Sequence, residues 1–344
     1  MRTTYSLLLS LLLSLLLLFA ACTEDTPAGP DWGDYVPTPE PEKPEEVVIK
    51  NIEPTTEIAD AGSHIAGLRF YPGISINIEQ KNFSARLMDI AAAGFKYIEI
   101  TIKHSYGIKD KSDDTVLAAF STVLSQVKAA GLTVWSIHLP FEDKNWTNPG
   151  GSENIRRQSV DYLNRVMRLC AAGFPECKNY VLHASKGVLS PRSESVIQAR
   201  KSLAEMIPVA NELGVRICVE NLVGSLCPTT EEMASTIDGV KDVWVTYDIG
   251  HAHCVGQDVV DFLKWIGPRL GTVHIHDTMF ASKNDSHSLI GDGNISKWEQ
   301  VYLTMLKDNR YRGVFLFELS GANAVTVMNS YKKIVADYQK AYNQ

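Results

Sequence analysis

Residues 193–222 read SESVIQARKSLAEMIPVANELGVRICVENL and contain one complete structural step of the chain. Apolar residues recur at helical spacing up to Leu213, Gly214 stops the helix, and VRICVEN follows as a short apolar strand. The strand ends on an acid, Glu220. A nearly continuous apolar run of this length is typical of a parallel strand that is buried on both faces.

The same helix-then-strand step recurs along most of the chain. Seven strands can be counted from residue 95 onward, and a first strand is expected within residues 64–78. Eight alternating units predict a closed (β/α)8 TIM barrel that forms a single domain. The alternative is an open doubly wound sheet, but neither G-x-G-x-x-G nor G-x-x-x-x-G-K-[ST] follows a strand. Besides residues 193–213, the predicted helices cover residues 83–93, 115–130, 152–172, 229–237, 259–266, 298–309 and 325–342.

The N-terminus carries a targeting pattern rather than a fold pattern. Arg2 precedes a leucine-rich run and then Ala20, Ala21 and Cys22, so residues 1–21 are predicted to be a cleaved signal. The pattern resembles a bacterial lipoprotein signal, which implies a lipid on Cys22. The alternative is an ordinary secretory signal with an incidental cysteine. We expect an exported protein anchored to the outer membrane, facing the periplasm or the outside, that contacts the membrane only through this lipid.

Net charge distinguishes an N-terminal segment from the rest of the chain. Residues 22–50 are rich in Pro, Glu and Asp and carry a net charge of −6, out of −7 for all 344 residues. This composition predicts a disordered acidic tether. Residues 51–344, which we assign to the barrel, carry a net charge of only −2. No basic field for phosphates is present, so we expect no nucleic-acid partner.

The spacing of the cysteines argues against a structural zinc site made of cysteines. Five cysteines follow Cys22, and no two of them have the C-x-x-C spacing. Cys170 and Cys177 are the nearest pair for a disulfide in an exported protein.

Acids and histidines stand where the predicted strands end. Because the C-terminal ends of barrel strands converge on one pocket, this pattern predicts a metal-dependent active site. The segments SIHLPF, VLHAS, ICVENL, VTYDIGHAH, TVHIHD and VFLFEL supply His138, His183, Glu220, Asp248, His251, His253, His274, His276, Asp277 and Glu318.

The motifs VENL, YDIGH, HIHD, LIGDG and FLFEL, in this order, resemble the xylose-isomerase-like barrel superfamily over residues 64–340. That superfamily includes the D-tagatose 3-epimerase group and endonuclease IV. The epimerase resemblance implies one divalent ion (Mn, Co, Mg or Zn) and an isomerase or epimerase that moves a proton next to the carbonyl of a small carbohydrate through an ene-diolate. It also implies Glu220 and Glu318 as the acid/base pair and His251 as a ligand of a substrate oxygen. The implied metal ligands are Glu220, Asp248, His274 and Glu318.

Three other functions remain open. The endonuclease IV resemblance implies a phosphoesterase with up to three zinc ions, although export and the missing basic groove argue against DNA repair. Epimerases often have an arginine after the metal histidine, where this chain has Phe280 and only Lys283 as a cation. This departure favours a lyase or hydratase acting on 3-keto-glycosides as the alternative. A non-catalytic sugar-binding lipoprotein is the third alternative, and it is disfavoured because Glu220 and Glu318 are both present. The additional zinc ligands that endonuclease IV implies are His138, His183, His251, Asp285 and His287.

A last set of residues is predicted to contact the substrate or to support the ligands. Trp146 is placed in a loop where it could stack on a sugar ring. Asn221 is predicted to orient Glu220, and Asp277 to orient a neighbouring ligand. The substrate-binding set is Glu99, Trp146, Asn221, His253 and His276.

Overall fold

The computed structural model describes residues 70–319 and 321–342. This part of the chain contains eight strands, each preceded or followed by helices. The predicted first strand lies within its expected window. The strands are β1 (Tyr71–Asn77), β2 (Tyr97–Thr101), β3 (Thr133–His138), β4 (Asn179–Leu182), β5 (Arg216–Glu220), β6 (Val243–Asp248), β7 (Leu270–His274) and β8 (Val314–Phe317).

The helices follow the predicted positions with one addition. Residues 249–254 form a short helix directly after β6, where the sequence analysis continued the strand segment VTYDIGHAH. The α-helices are α1 (Phe83–Ala92), α2 (Asp113–Ala129), α3 (Glu153–Gly173), α4 (Arg192–Leu213), α5 (Thr230–Ile237), α6 (Ile249–Cys254), α7 (Val259–Ile266), α8 (Trp298–Lys307) and α9 (Ala324–Tyr342).

The strands form one parallel sheet in the order β7-β6-β5-β4-β3-β2-β1-β8. The two ends of this sheet meet just beyond β7 and β8. There the Ile275 amide donates to the Leu316 carbonyl at 2.8 Å, and the Glu318 amide donates to the Ile275 carbonyl at 3.2 Å. Eight parallel strands therefore form a nearly closed barrel. The prediction of a TIM barrel is confirmed, and the open doubly wound sheet is excluded.

Helix α4 shows how the sequence sets the position of the next strand. Its apolar face is buried, and it ends at Gly214, whose φ of +65° lies in the left-handed region that glycine adopts without a steric cost. The amide of Val215 then donates to the Ala210 carbonyl at 2.9 Å. The chain thus reverses tightly into β5, which places Glu220 at the mouth of the barrel.

The described cysteines are reduced. Cys170 and Cys177 are both buried free thiols, so the suggested disulfide between them is absent from the described residues. Burial raises the pKa of the Cys170 thiol well above its usual value, which makes it a poor nucleophile and leaves it a packing residue.

The signal (residues 1–21), the tether (22–50) and Cys22 lie outside the described residues. Within the described part, none of the helices combines the length and the apolar character that a bilayer span requires.

Candidate metal centre at the barrel mouth

Parallel strand ends bring the predicted ligands to one level. Asp248 and His274 are the last residues of β6 and β7, and they are direct register partners. Glu220 ends β5, His138 ends β3, and Glu318 follows β8 directly. The strand geometry therefore gathers side chains from distant parts of the sequence at the C-terminal face of the barrel.

The central group consists of Glu220, Asp248, His274 and Glu318, with one donor atom from each within 4.8 Å of the others. Nδ1 of His274 lies 3.1 Å from Oε1 of Glu220, 2.9 Å from Oε2 of Glu318 and 3.8 Å from Oδ2 of Asp248. Glu220, Asp248 and His274 are buried. The four residues implied as metal ligands by the epimerase resemblance are thus brought together.

The side group consists of His138, His183 and Glu220. Nε2 of His138 lies 3.3 Å from Oε2 of Glu220, and Nε2 of His183 lies 3.0 Å from the same oxygen. Glu220 therefore turns one carboxylate oxygen to the central group and the other to the side group. A shared carboxylate of this kind is able to bridge two ions.

The outer group consists of His251, His276, Asp285 and His287. Oδ2 of Asp285 lies 3.0 Å from Nε2 of His251 and 2.8 Å from Nε2 of His287. Nε2 of His276 lies 3.8 Å from Oδ1 of Asp285. His276 was predicted only as a substrate-binding residue, and the structure places it among donors of metal-ligand type.

The donor atoms fit a divalent metal ion. Two buried atoms of the outer group make no hydrogen bond to any described residue: Oδ1 of Asp285 and Nδ1 of His276. Buried polar atoms normally have a partner, so such a concentration indicates a missing ligand. Imidazoles combined with carboxylates suit zinc and similar ions.

Burial and opposite charges set the protonation of the site. Burial alone would lower the pKa of His274, but the charges of Glu318, Glu99 and Glu220 outweigh it and raise this pKa well above its usual value. Burial likewise opposes ionisation of Glu220, yet the neighbouring histidines hold its pKa well below the usual range. Without a metal ion, a protonated His274 therefore lies beside the ionised Glu220, and a metal ion that binds His274 must displace its proton.

Glu99 contacts His274 of the central group. It lies within β2 and is fully buried. Nε2 of His274 is 3.2 Å from Oε2 of Glu99, and the Ser136 hydroxyl donates to the same oxygen at 2.7 Å. A carboxylate that accepts from one ring nitrogen fixes the other nitrogen as the metal ligand. Glu99 thus orients His274 through an ion pair, and its contact with a substrate stays a prediction.

Asn221 has a different role from the predicted one. Its Nδ2 donates to the Asp248 carbonyl and its Oδ1 accepts from the Asp248 amide, both at 2.8 Å. The prediction that its side chain orients Glu220 is wrong, because both polar atoms are used by the main chain of β6. Asn221 instead fixes the position of Asp248.

Asp277 holds a loop rather than a ligand. Its carboxylate accepts from the amides of Thr278, Gly291 and Ile295 at 2.9, 2.8 and 3.1 Å. The prediction that it orients a neighbouring ligand is wrong, since these bonds secure the loop between β7 and α8.

Two further predicted residues lie outside the three groups. His253 pairs through Nε2 with Oδ1 of Asn294 at 2.8 Å. Trp146 packs edge-on against Tyr162, with ring centroids 5.8 Å apart. Contact of either side chain with a sugar stays a prediction.

Ser136 and Gly250 were missed by the sequence analysis. A signal for Ser136 exists in the strand period, because residues 136 and 138 point to the same face of β3. Gly250 leaves room for the ring of His276, since a Cβ atom there would lie 2.0 Å from Cε1 of that ring. No local pattern signals this role, because His276 lies 26 positions away.

Comparisons with known proteins agree with this fold. The model of the xylose isomerase-like TIM barrel family matches residues 87–338. The uncharacterized protein MJ1311 of Methanocaldococcus jannaschii is 28% identical over 220 residues, which cover 60% of this chain and 71% of that protein. The protein named Probable endonuclease 4 of Acholeplasma laidlawii is 28% identical over 203 residues, covering 54% and 67%. A D-tagatose 3-epimerase-like protein of known structure has a TM-score of 0.62 at 21% identity and covers 78% of this chain and 98% of its own.

Proposed function

Because the chain belongs to the xylose isomerase-like TIM barrel family, we propose that it is a divalent-metal-dependent isomerase or epimerase of a small carbohydrate. The reaction would be proton transfer next to a carbonyl, through an ene-diolate. The central group carries this proposal, since Glu220 and Glu318 both lie within about 3 Å of Nδ1 of His274. The name of the D-tagatose 3-epimerase-like relative is consistent with such an activity.

The two carboxylates reach the substrate site from different directions. Glu220 ends β5 and Glu318 follows β8, and these strands are not neighbours in the sheet. A divalent ion bound there supplies a Lewis acid that polarises the carbonyl. One carboxylate removes a proton from the adjacent carbon, and the other returns a proton to the opposite face. Both are ionised before reaction, because the surrounding histidines lower the pKa of Glu220 and of Glu318.

His138 and His183 would bind substrate hydroxyls in this reaction. Burial lowers the pKa of His183, so its ring is neutral at pH 7 and can both donate and accept a hydrogen bond. Its side chain is 16% exposed, whereas that of His138 is 2% exposed. His183 is therefore the more accessible of the two to a sugar.

The test is solvent deuterium incorporation. The metal-loaded protein is incubated in D2O with a panel of free ketoses and 3-keto-glycosides, and deuterium next to the carbonyl is measured by NMR. We expect incorporation into at least one substrate and a loss of 100-fold or more, on the order of a general-base contribution, in Glu318→Gln. The matched control is Glu176→Gln at a surface ion pair. Absence of exchange across the whole panel contradicts the proposal.

A lyase or hydratase acting on 3-keto-glycosides is a second candidate at the same site. Phe280 stands near the position where epimerases often have an arginine. Its ring lies 5.1 Å from that of His253, and its side chain is exposed. An exposed aromatic ring beside His253 therefore stands there instead of a cation. In the deuterium experiment, release of the aglycone or hydration of the product identifies this reaction.

The side group favours a third candidate, phosphoester hydrolysis. Both its histidines approach the oxygen of Glu220 that the central group does not use, as expected of paired metal ions that share a carboxylate. Hydrolysis of bis(p-nitrophenyl) phosphate by protein with three zinc ions per chain would establish this function.

Export with a lipid anchor is also a proposal, supported by the residues around Cys22. Cys22→Ser is expected to move the protein from the membrane fraction to the soluble fraction. Retention of the variant in the membrane fraction contradicts the lipid anchor.

A further inference from the structure

We propose that Ser185 and Asn148 position His183, by joining the loop that follows β4 to the loops that follow β3 and β5. Both residues would act through His183 rather than on the substrate. The effect on turnover rests on the proposed function, in which His183 binds a substrate hydroxyl. The junction between the loops does not depend on that function and is tested separately.

His183 needs such positioning because it lies just outside the barrel sheet. Leu182, paired with Val219, is the last residue of β4 in register with β5. By contrast, His138 is the last residue of β3 and pairs in register with Val181 of β4. The sheet therefore fixes the main chain at His138, whereas the main chain at His183 depends on the loop that follows it.

Ser185, two residues after His183, contacts both neighbouring loops. Its Oγ lies 2.8 Å from Oδ1 of Asn148, which belongs to the loop after β3, and also contacts the Gly187 carbonyl of its own loop. Its carbonyl accepts from the Ser225 hydroxyl, in the loop after β5, at 2.6 Å. Ser185 is only 1% exposed. One buried serine thus joins the loops of three adjacent strands, and these strands carry the side group.

Asn148 is a fixed acceptor for the loop after β4. Its Oδ1 also accepts from the Lys186 amide at 3.0 Å, so two groups of that loop converge on one atom. Asn148 is buried, its amide donates to Oγ of Ser159 at 3.0 Å, and its Nδ2 donates to the Lys144 carbonyl at 3.2 Å. A buried polar group whose other atoms all have partners is rigid. Asn148 can therefore hold the neighbouring loop in one place.

The loops after β3 and β4 are also in close contact. A Cβ atom on Gly150 would lie 2.9 Å from Cβ and 3.0 Å from Oγ of Ser185. The Pro149 carbonyl accepts from the Ser202 hydroxyl of α4 at 2.8 Å, which holds this part of the loop against the helix. Contacts and hydrogen bonds together make the two loops one unit, and this unit sets the place of His183 in the side group.

Hydrogen exchange tests the junction without any turnover. We expect Ser185→Ala to speed amide exchange in residues 183–190 by about 5–10-fold, the effect of one lost hydrogen bond on local opening. Ser105→Ala is the matched control, because the Ser105 hydroxyl donates to Oε2 of Glu79 at 2.7 Å and joins the loops after β1 and β2 instead. The control should leave residues 183–190 unchanged. Equal exchange in Ser185→Ala and the wild type overturns the proposal.

A histidine NMR spectrum tests whether the junction sets the place of the His183 ring. The ring C–H signal of His183 is assigned by its absence in His183→Ala. We expect this signal to move in Ser185→Ala and to stay in place in Ser105→Ala. An unmoved signal overturns the positioning role. Asn148→Ala removes the acceptor of both Ser185 and Lys186 and answers the same question if Ser185→Ala fails to fold.

Kinetics then measure the effect on a carbohydrate with which the wild type exchanges deuterium. Ser185→Ala should raise KM by about 10-fold and change kcat by less than about twofold, because a displaced His183 loses binding that substrate and transition state share. A lower kcat with an unchanged KM overturns the positioning of a substrate-binding histidine. If the wild type exchanges no deuterium with any carbohydrate, the proposed function fails, and hydrogen exchange and NMR still decide whether Ser185 positions His183.

Discussion

Gly250→Ala tests the close approach of α6 to His276. The substitution adds one methyl group inside a helix, and the φ of Gly250 is not positive, so alanine is compatible with the backbone there. The added carbon would lie 2.0–2.5 Å from three atoms of the buried His276 ring. The ring cannot stay where it is, and it packs against His287 on another side.

The magnitude follows from three contributions. Overpacking a buried site costs about 1–3 kcal/mol. Displacement of the ring loses the hydrogen bond to Asp248, and bonds to charged groups contribute about 1.5–3 kcal/mol. Replacing glycine by alanine inside a helix stabilises the helix by about 1 kcal/mol. We therefore expect the free energy of unfolding to fall by about 1.5–5 kcal/mol in the metal-free protein, from these terms together.

Equilibrium urea unfolding followed by circular dichroism measures this change. The matched control is Gly187→Ala, because a Cβ at Gly187 would meet no atom within 4 Å and its φ is not positive. The control should stay within about 0.5 kcal/mol of the wild type. If Gly250→Ala is as stable as Gly187→Ala, the reasoning about the close approach is refuted.

Four other predictions concern the site and the residues that position it. Asp277→Ala leaves three loop amides without their acceptor. Urea unfolding should show a free energy of unfolding lower by about 3 kcal/mol. An unchanged midpoint of the urea transition contradicts this role of Asp277. Glu99→Gln weakens the hydrogen-bond acceptor of His274. Zinc competition should show a loss of about 10–100-fold in affinity at the central group. Equal zinc affinity in the variant and the wild type would show that Glu99 does not orient His274. Burial opposes protonation of His251 and His287, but neighbouring carboxylates raise their pKa values to about 10 and about 9. Zinc binding to the outer group at pH 7 should therefore release about two protons, measured by calorimetry in buffers of different ionisation enthalpy, and zinc affinity should rise with pH up to about 10. The same raised pKa values mean that the metal-free protein loses stability as the pH rises from about 6.5 to about 10; proton release near zero contradicts both statements.

The barrel could be predicted from the sequence because each strand is a local pattern. Gly214 ends a helix and an apolar run follows it, and neither feature depends on distant residues. Helix α6 was missed since it is only six residues long and contains a glycine and two histidines, which are weak helix formers. It forms because the Asp248 side chain accepts from the His251 amide at 2.6 Å and caps its first turn.

The ligand types could also be predicted, but the contacts of the residues that position the ligands could not. Acids and histidines at strand ends predicted a metal-dependent site, and the epimerase resemblance implied the four residues of the central group. The strand register places Asp248 beside His274. The partners of Asn221 and Asp277 are main-chain groups up to 27 residues away. No local pattern encodes such contacts, because they depend on how the loops pack over the barrel mouth. The role of Glu99 likewise depends on His274, at a separation of 175 residues.

The central claim is that the central group binds the catalytic ion. The most direct measurement is solvent deuterium incorporation plotted against zinc ions bound per chain, with both quantities determined on the same samples of the wild-type protein and of Glu318→Gln. We expect exchange in the wild-type protein to rise as zinc binds, and Glu318→Gln to exchange at least 100-fold more slowly at every zinc content. Full exchange in Glu318→Gln, or activity that appears only at three ions per chain and only on phosphate esters, would contradict the claim.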